Sequence, residues 1–265
     1  MGTRGNSLFA LGSTVVVFSL VIAGIFGAVQ LFDKMQGAHV PSGWAYVEYT
    51  IDGDLTDEQG EAVAKSLVFR LHMGRAADAR WWVDDNLVTV AVPEVEQPEL
   101  ESLPDSGPKL QFSSVINSGK VGQGAVVKNE GCHDPPENHA CDRARSYWYH
   151  LAKPFLEGSD IDSSNVVEDK AGTGAYAVEM NLEGEPKEKL ATTTKRMTGS
   201  SEDGRRLAVV YGGIVLSAEP VERPVTNGVI QLPGFSKPEG QDLADAVAAS
   251  KYDATLHKGS VRVAE

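Results

Sequence analysis

Six stretches of the chain are predicted to be β-strands: residues 44–51, 87–92, 110–116, 175–182, 207–211 and 214–218. In 44–51 and 175–182 apolar residues recur at every second position, a period of two that is typical of half-buried strands. In the third of the six stretches, Leu110, Phe112 and Ile116 are predicted to face the same side. The last two of the six flank Gly212 and Gly213, which can adopt the positive φ angles of a tight hairpin turn. We therefore predict a hairpin over residues 207–218.

Helices are predicted where the pattern changes to a helical period. A capping box at Thr56 and Gln59 opens one helix, and a second box at Ser236 and Glu239 opens another. A further helix is predicted over residues 186–197, with its proline near the start. The result is an α+β fold with two β/α units in series. The first unit is interpreted as β-α-β, with a right-handed crossover if its strands are parallel.

A long uncharged segment precedes these elements. Between Arg4 and Asp33 lie 28 residues without a charged side chain. About 20 apolar residues suffice for a helix to cross a bilayer, so we expect one transmembrane helix at residues 8–32. A cleaved signal peptide is the alternative, although its apolar region usually spans only about 7–15 residues. Arg4 favours a cytoplasmic amino terminus, which places the chain beyond Lys34 outside the cytoplasm.

The overall charge narrows the possible partners. The chain has 37 acidic and 24 basic residues, a formal net charge of -13. Nucleic acid is an improbable partner for such a chain, because phosphates require clustered lysine and arginine. The sequence contains neither a phosphate-binding loop nor a Gly-x-Ser-x-Gly elbow. We therefore expect a non-enzymatic protein that has no cofactor and does not bind nucleic acid.

Residues 119–145 show no regular period and contain both cysteines of the chain, Cys132 and Cys141. Outside the cytoplasm thiols oxidise readily, so the first interpretation is a disulfide between them. Together with His133 and His139 the same cysteines could instead form a tetrahedral zinc site, and free thiols are the third possibility. We predict the disulfide and no bound metal. Upstream, residues 93–108 hold five acids and four prolines, which predicts an exposed connector.

Aromatic residues cluster at Tyr147-Trp148-Tyr149. Neighbouring members of such a cluster face opposite sides of a strand, so at least one side is expected to belong to the core. If Tyr147 and Tyr149 are exposed, they could grip apolar side chains of a passing polypeptide.

The second half of the chain resembles the bacterial SecD family. Residues 207–218 read L-A-V-V-Y-G-G-I-V-L-S-A, similar to the family's L-A-I-V-L-D-G-x-V-x-S-A. The likeness continues through P-V-T-N-G at residues 224–228 and Q-L-P-G at residues 231–234. Weaker similarity precedes it, in E-G-S-D-I at residues 157–161 and in the N-L-V-T-V strand at residues 86–90. The resemblance spans about residues 44–255.

This resemblance implies a ferredoxin-like base followed by a second α+β head subdomain, preceded here by one transmembrane helix. The family assists Sec-dependent protein export, and its head is thought to hold polypeptide that emerges from the channel. Two departures stand out: Gly212 replaces the family's Asp, and Glu219 replaces its Pro. The family also has further membrane helices that couple proton flow to head motion. We expect that proton-driven part to be absent from this chain.

The expected organisation has four parts. They are a tail with the transmembrane helix at 1–34, a base-like β-α-β unit at 35–117, a head-like domain at 118–255 and a carboxyl-terminal tail at 256–265. The expected function is that of a single-pass cell-membrane accessory in protein export, with Sec translocon components and unfolded polypeptide as partners. Its predicted contact residues are Tyr147, Tyr149, Tyr211 and Ile214. The alternative is an envelope interaction module on the same fold that binds a dedicated protein partner or a small ligand.

Overall fold

The described part of the chain forms three β-sheets and four α-helices. The computed structural model describes residues 40–53, 56–74, 76, 78–122, 138–169, 175–251 and 255–265. None of the helices within these ranges is long and apolar enough to span a bilayer. The transmembrane helix predicted at residues 8–32 lies outside the described residues.

The first sheet has strand order β13-β1-β3-β2, and β14 also pairs with β1. All of its pairings are antiparallel. Its strands are β1 (Trp44–Asp52), β2 (Arg80–Asp84), β3 (Leu87–Pro93), β13 (Thr255–Lys258) and β14 (Arg262–Val263). Helix α1 (Asp57–Gly74) covers one face, where Leu67 and Leu71 pack against Val47 and Val90. The capping box of α1 forms as predicted, because the backbone N–H of Thr56 donates to Gln59 Oε1 at 3.0 Å.

Two strands of this sheet differ from the prediction. The predicted β-α-β unit joined residues 44–51 to 87–92, but these strands are antiparallel neighbours. Strand β2, which the sequence did not indicate, runs parallel to β1 because both are antiparallel to β3. Residues 255–263, assigned to a tail from residue 256 onward, instead supply two strands that pair with β1. The edge of β1 has backbone N–H and C=O groups that can pair with another strand, so this short polar segment forms strands there although its side-chain pattern does not indicate them.

The second sheet closes on itself. Its order is β10-β11-β5-β6-β4-β7, and β10 also pairs with β4, so five strands form a small barrel. The strands are β4 (Leu110–Lys120), β5 (His139–Asp142), β6 (Tyr147–Leu151), β7 (Leu156–Glu157), β10 (Arg206–Tyr211) and β11 (Ile214–Pro220). Each of the five barrel strands contributes to one buried cluster, which fills the interior: Val115, Ala140, Tyr149, Leu151, Ala208, Val210, Val215 and Ala218. Closure leaves these strands without free edges along their paired lengths.

Strand β4 carries a bulge that reverses its sidedness. The pairing of β4 with β6 shifts register between Val115 and Asn117. Leu110 and Phe112 belong to the large core cluster, and Val115, on the other face of β4, belongs to the barrel interior. Ile116 is the residue that the bulge leaves unpaired, and it is 53% exposed. A bulge inserts one residue and so changes which face the following side chains occupy. Ile116 therefore does not join Leu110 and Phe112 in the core.

The third sheet has strand order β12-β9-β8. Its strands are β8 (Ser163–Glu168), β9 (Tyr176–Asn181) and β12 (Val229–Phe235), and the helices in this part are α3 (Gly184–Met197) and α4 (Lys237–Ala249). Helix α4 contacts α1, β8 and β9. The largest core cluster joins this sheet to the outer side of the barrel, since it includes Val178 and Leu232 together with Phe112 and Val209. The predicted strand at 175–182 and the helices near Pro186 and after Ser236 are present.

The acidic connector at residues 93–108 is more ordered than predicted. It contains a 3-10 turn (Glu94–Glu96) and the short helix α2 (Gln97–Glu101). Leu100 and Leu103 are buried in the core of the first sheet. The Tyr49 hydroxyl donates to the carbonyl of Pro104 at 2.9 Å. These contacts hold the segment against the sheet, so it is not a free linker.

The pairing of β13 with β1 predicts that the carboxyl-terminal residues stabilise the fold. Leu256 is 8% exposed in the core of the first sheet, and Val263 is 43% exposed. We expect Leu256→Ala to lower the free energy of unfolding by about 2–3 kcal/mol, because it removes a buried side chain. Val263→Ala, the control, should change it by less than about 0.5 kcal/mol. Urea titration followed by circular dichroism measures both, and equal effects would contradict the pairing.

Candidate functional site

The turn between β5 and β6 has a fixed shape. Asp142 Oδ1 accepts hydrogen bonds from the backbone N–H groups of Ser146 and Tyr147, at 2.6 and 2.8 Å. Arg145 takes a positive φ of 55°, and its N–H donates to the Asp142 carbonyl at 2.9 Å. The aspartate side chain thus satisfies the donors that the turn leaves open.

Two arginines tie this turn to other elements. Arg145 Nη2 lies 2.9 Å from Glu99 Oε1 on α2, and it also donates to the carbonyl of Gly74 at the end of α1. The Glu99 side chain is 14% exposed, so this ion pair is partly desolvated. Arg143 Nη2 lies 2.8 Å from Glu239 Oε1 in the first turn of α4. The turn therefore bridges α1, α2 and α4.

A groove of about 640 Å³ lies beside this turn. We call it the junction groove, and its lining residues are Phe69, His72, Met73, Ala76, Arg143, Ala144, Glu239 and Asp242. Its apolar part comes from the last turns of α1, where Phe69 and Met73 are each 2% exposed. Its polar part comes from the β5–β6 turn and from α4. Because Phe69 and Met73 are nearly covered, the accessible residues of the groove lining are mostly polar.

The acids of the rim have different surroundings. Glu239 caps α4: its carboxylate accepts from the backbone N–H of Ser236 at 3.0 Å, and it also pairs with Arg143. The backbone hydrogen bond, followed by the bonds to the Arg143 and Ser236 side chains, lowers the pKa of Glu239 to about 2. Partial burial raises the pKa of Asp242, against the opposing effect of nearby His72. Glu239 is thus already hydrogen-bonded and ion-paired. For Asp242, a nearby cation would stabilise the charged form that partial burial disfavours.

A buried contact joins α1 to the turn between β10 and β11. Arg70 Nε donates to the carbonyl of Gly212 at 2.6 Å, and the Tyr211 hydroxyl donates to the carbonyl of Ser66 at 2.9 Å. Phe69 and Tyr211 meet edge to face with ring centroids 5.2 Å apart. Burial lowers the pKa of Arg70, and Glu99 opposes this shift. The first sheet and the barrel are therefore joined by hydrogen bonds as well as by packing.

Gly212 is required at this contact. Its φ is 53°, and a Cβ atom there would lie 2.7 Å from Arg70 Cδ and 2.9 Å from Pro108 Cβ. An L-residue with a side chain would be strained at this φ and would displace Arg70. This accounts for the departure at position 212 that the sequence comparison with SecD revealed.

The four predicted contact residues divide into two pairs. Tyr211 is fully buried, and Tyr149 is 9% exposed in the barrel interior, so neither presents a surface to a partner. Tyr147 is 41% exposed at the start of β6, and Ile214 is half-buried opposite Cys141. Alternation along a strand does not show which face points into a closed barrel. This explains Tyr149, whereas Tyr211 lies outside the barrel interior and is covered by α1 through Phe69 and Ser66.

The cysteine region is described in part. Cys141 is disulfide-bonded, while Cys132 and His133 lie outside the described residues. His139 stacks on His150 of the neighbouring strand, with ring centroids 4.5 Å apart. The pairing of Cys132 with Cys141 remains a prediction.

Sequence reasoning missed most of the junction groove. Arg143 and Glu239 are 96 positions apart, and only folding brings them together. The capping box at Ser236 and Glu239 was the one local signal, and it indicated a helix start only. Phe69 and Met73 fitted the helical pattern as core residues, which did not distinguish them from the rest of α1.

Comparisons with known proteins agree on one family. Residues 137–252 match the family described as SecDF, P1 head subdomain. The protein translocase subunit SecD of Treponema pallidum is 31% identical over 104 residues, which make up 39% of this chain and 17% of that protein. A crystal structure of SecDF from Thermus thermophilus, described as a translocon-associated membrane protein, is 19% identical with a TM-score of 0.47. It covers 92% of this chain and 35% of its own.

A further SecDF structure, of a membrane component described as enhancing protein export, is 20% identical with a TM-score of 0.44. It covers 82% of this chain and 99% of its own.

These matches confirm the resemblance to SecD found in the sequence. The segment that matches the SecDF P1 head subdomain, residues 137–252, includes the β5–β6 turn, most of the barrel and helix α4. The charged rim of the junction groove lies within this segment, and the part of the groove on α1 precedes it.

The low pKa of Glu239 predicts an acid-sensitive attachment of the turn. A lowered pKa means that the charged form is favoured in the folded state, so this stabilisation is complete above about pH 4.5 and is lost as the pH falls through about 2. The Glu239 carboxyl signal in an NMR titration should show a midpoint near 2. Arg143→Gln should raise that midpoint. A midpoint that does not change would show that the ion pair is absent in solution.

The cysteines supply a separate prediction. Eight residues separate Cys132 from Cys141, and closing so short a loop stabilises the fold by roughly 2–3 kcal/mol. Both thiols should resist alkylation in the native protein and react after reduction, as read by mass spectrometry. Ready labelling without reductant, or stoichiometric zinc, would contradict the disulfide.

Proposed function

We propose that this protein is a membrane-anchored, SecD-like extracytoplasmic domain that supports Sec-dependent export by binding unfolded or translocating polypeptide. The observation that carries the proposal is the match of residues 137–252 to the SecDF P1 head subdomain. The known relatives are described as a translocase subunit and as a translocon-associated membrane protein. Sec translocon components are accordingly the proposed partners, and the cell membrane is the proposed location.

The proposed organisation keeps one anchor helix at residues 8–32 and places the chain after Lys34 outside the cytoplasm. The first sheet is proposed as the ferredoxin-like base. Its order β13-β1-β3-β2 and its packed helix α1 support that assignment. The segment that matches the head, residues 137–252, then lies between β3 and β13, and residues 255–263 supply the last strands of the base.

The junction groove is the proposed site for polypeptide. Phe69 and Met73 close the bottom of the groove but are nearly covered, so one side chain of an extended segment would contact Ala144 and the half-buried His72. Asp242 at the rim would attract a basic neighbour, since a cation relieves the cost of its partial burial. Tyr147, exposed on the same β5–β6 hairpin, adds an aromatic contact beyond the groove.

The proposed role is binding and not catalysis. Glu239 is held by Ser236 and Arg143, and Arg145 is held by Glu99. Groups that serve structure in this way are poorly placed to transfer protons to a substrate. An unfolded ligand must also become ordered as it binds, so we expect dissociation constants of about 10 µM or weaker.

The test compares unfolded and folded forms of one export substrate. The full chain in lipid nanodiscs is titrated with each, and binding of the unfolded form alone is expected. Asp242→Lys should weaken binding about two- to tenfold, because it reverses a charge at the rim. Glu222→Lys, the same change at an exposed position, is the control.

A second variant tests the groove itself. Ala144→Trp adds bulk at the groove lining, and Ser146→Trp adds the same bulk elsewhere in the turn. Loss of binding in the first variant only would support the site. Equal affinity for folded and unfolded substrate would favour a dedicated partner over export.

A further inference from the structure

One face of the first sheet is not covered by α1. Side chains at alternate positions point away from the helix, because Ala45, Val47 and Val90 point toward it. The cross-strand register puts four of the opposite side chains in one row: Arg262, Tyr46, Ala91 and Arg80.

Aromatic rings and guanidinium groups cover this row. Arg80 Cζ lies 4.5 Å from the Trp44 ring centroid, and Arg262 Cζ lies 5.0 Å from that of Tyr46. Ala91 beneath them is fully buried, although it lies on the open face. The arginine side chains stay about half exposed, at 53% and 51%. Arg262 also pairs with Glu48.

Exposed apolar side chains occur at the same end of the sheet. Of the four exposed large hydrophobic residues in the described ranges, Val95 at 89% and Val263 at 43% lie here. Val95 follows Glu94, whose backbone N–H donates to the carbonyl of Gly43, next to Trp44. Val263 is paired with Ala45, so its side chain lies on the α1 side of the sheet and not on the open face. Val95 is therefore the exposed valine that can accompany the aromatic residues of this face.

We call this region the Trp44 end and define it by its exposed or half-exposed residues: Trp44, Tyr46, Arg80, Val95 and Arg262. The opposite end of the same face carries Asp52 and Asp84, both exposed. Asp78 lies 4.0 Å from Arg80, Glu48 pairs with Arg262, and Glu94 is near, so the Trp44 end is mixed in charge. Both guanidinium groups of the face are nevertheless there. In a chain of net charge -13, this collection of arginine with tryptophan, tyrosine and valine is distinctive.

We propose that the Trp44 end docks on the headgroups of anionic phospholipid. Tryptophan and tyrosine are enriched at membrane interfaces, and arginine donates two hydrogen bonds to a phosphate. The short distance along the chain keeps Trp44 near the membrane. Residues 33–43 separate the predicted anchor from Trp44, and eleven extended residues reach at most about 40 Å. The inference rests on the proposed membrane anchor, and it adds that the sheet lies against the bilayer.

The test uses the full chain in nanodiscs with a spin label at one exposed position. Val95→Cys reports on the Trp44 end, while Ile116→Cys on the barrel, at 53% exposure, and Val263→Cys on the α1 side of the sheet are the controls. Collision with a water-soluble nickel chelate should be lost at 95 in discs of anionic lipid, and retained at 116 and 263. Discs of zwitterionic lipid, or high salt, should restore collision at 95.

The arginines are tested by reversing their charge. Arg80→Glu with Arg262→Glu should weaken docking about thirtyfold or more, since each basic residue near an anionic surface contributes about fivefold. Arg223→Glu, an exposed arginine between β11 and β12, is the control. Circular dichroism confirms that the variants are folded.

The outcomes separate this inference from the proposed function. A chain that does not co-elute with the discs would overturn the anchor and the docking together. Co-elution with equal chelate access at 95 and 116 would overturn the docking alone. Protection at 95 that appears only when unfolded polypeptide is added would identify polypeptide as the occupant and overturn lipid.

Discussion

The hydrogen bond from Arg70 to the Gly212 carbonyl is the contact on which the relation between the first sheet and the barrel depends. It spans 142 positions in the chain and is buried. A buried guanidinium is costly unless its donors are satisfied and a counter-charge is near. Glu99 supplies that charge and shares it with Arg145. Loss of Glu99 would therefore leave the buried Arg70 without this counter-charge.

Glycines make this contact sterically possible. A Cβ atom at Gly74 would lie 2.5 Å from Glu99 Oε2 and 2.9 Å from Arg70 Nη1. Gly212 has the same role on the opposite side, where its own carbonyl is the acceptor. The backbone therefore approaches the charged groups from two directions, at positions where a side chain would separate them. The junction groove lies next to this network because the end of α1 lines it, and its shape follows from the same packing.

Local signals in the sequence predicted the elements better than their partners. The two capping boxes and the Gly212-Gly213 turn involve residues close in sequence, so the sequence alone was sufficient to find them. Strand β2 was missed because its three central residues are all half-buried and show no alternation. Strand β13 was missed because its partner lies about 200 positions earlier. The core face of a barrel strand likewise depends on closure, which no single strand reveals, and that explains the misplacement of Tyr149.

The pairing of β13 and β14 with β1 has a consequence for the order of folding. The first strand of the first sheet is synthesised early, yet one of its edges is filled only by residues 255–263. Until those residues emerge, β1 presents open backbone donors and acceptors, and such an edge readily pairs with other chains. The barrel has no such dependence, because its strands all lie between Leu110 and Pro220. The inserted region can therefore reach its native pairing while the first sheet is still incomplete, and that sheet is completed only when residues 255–263 pair with β1.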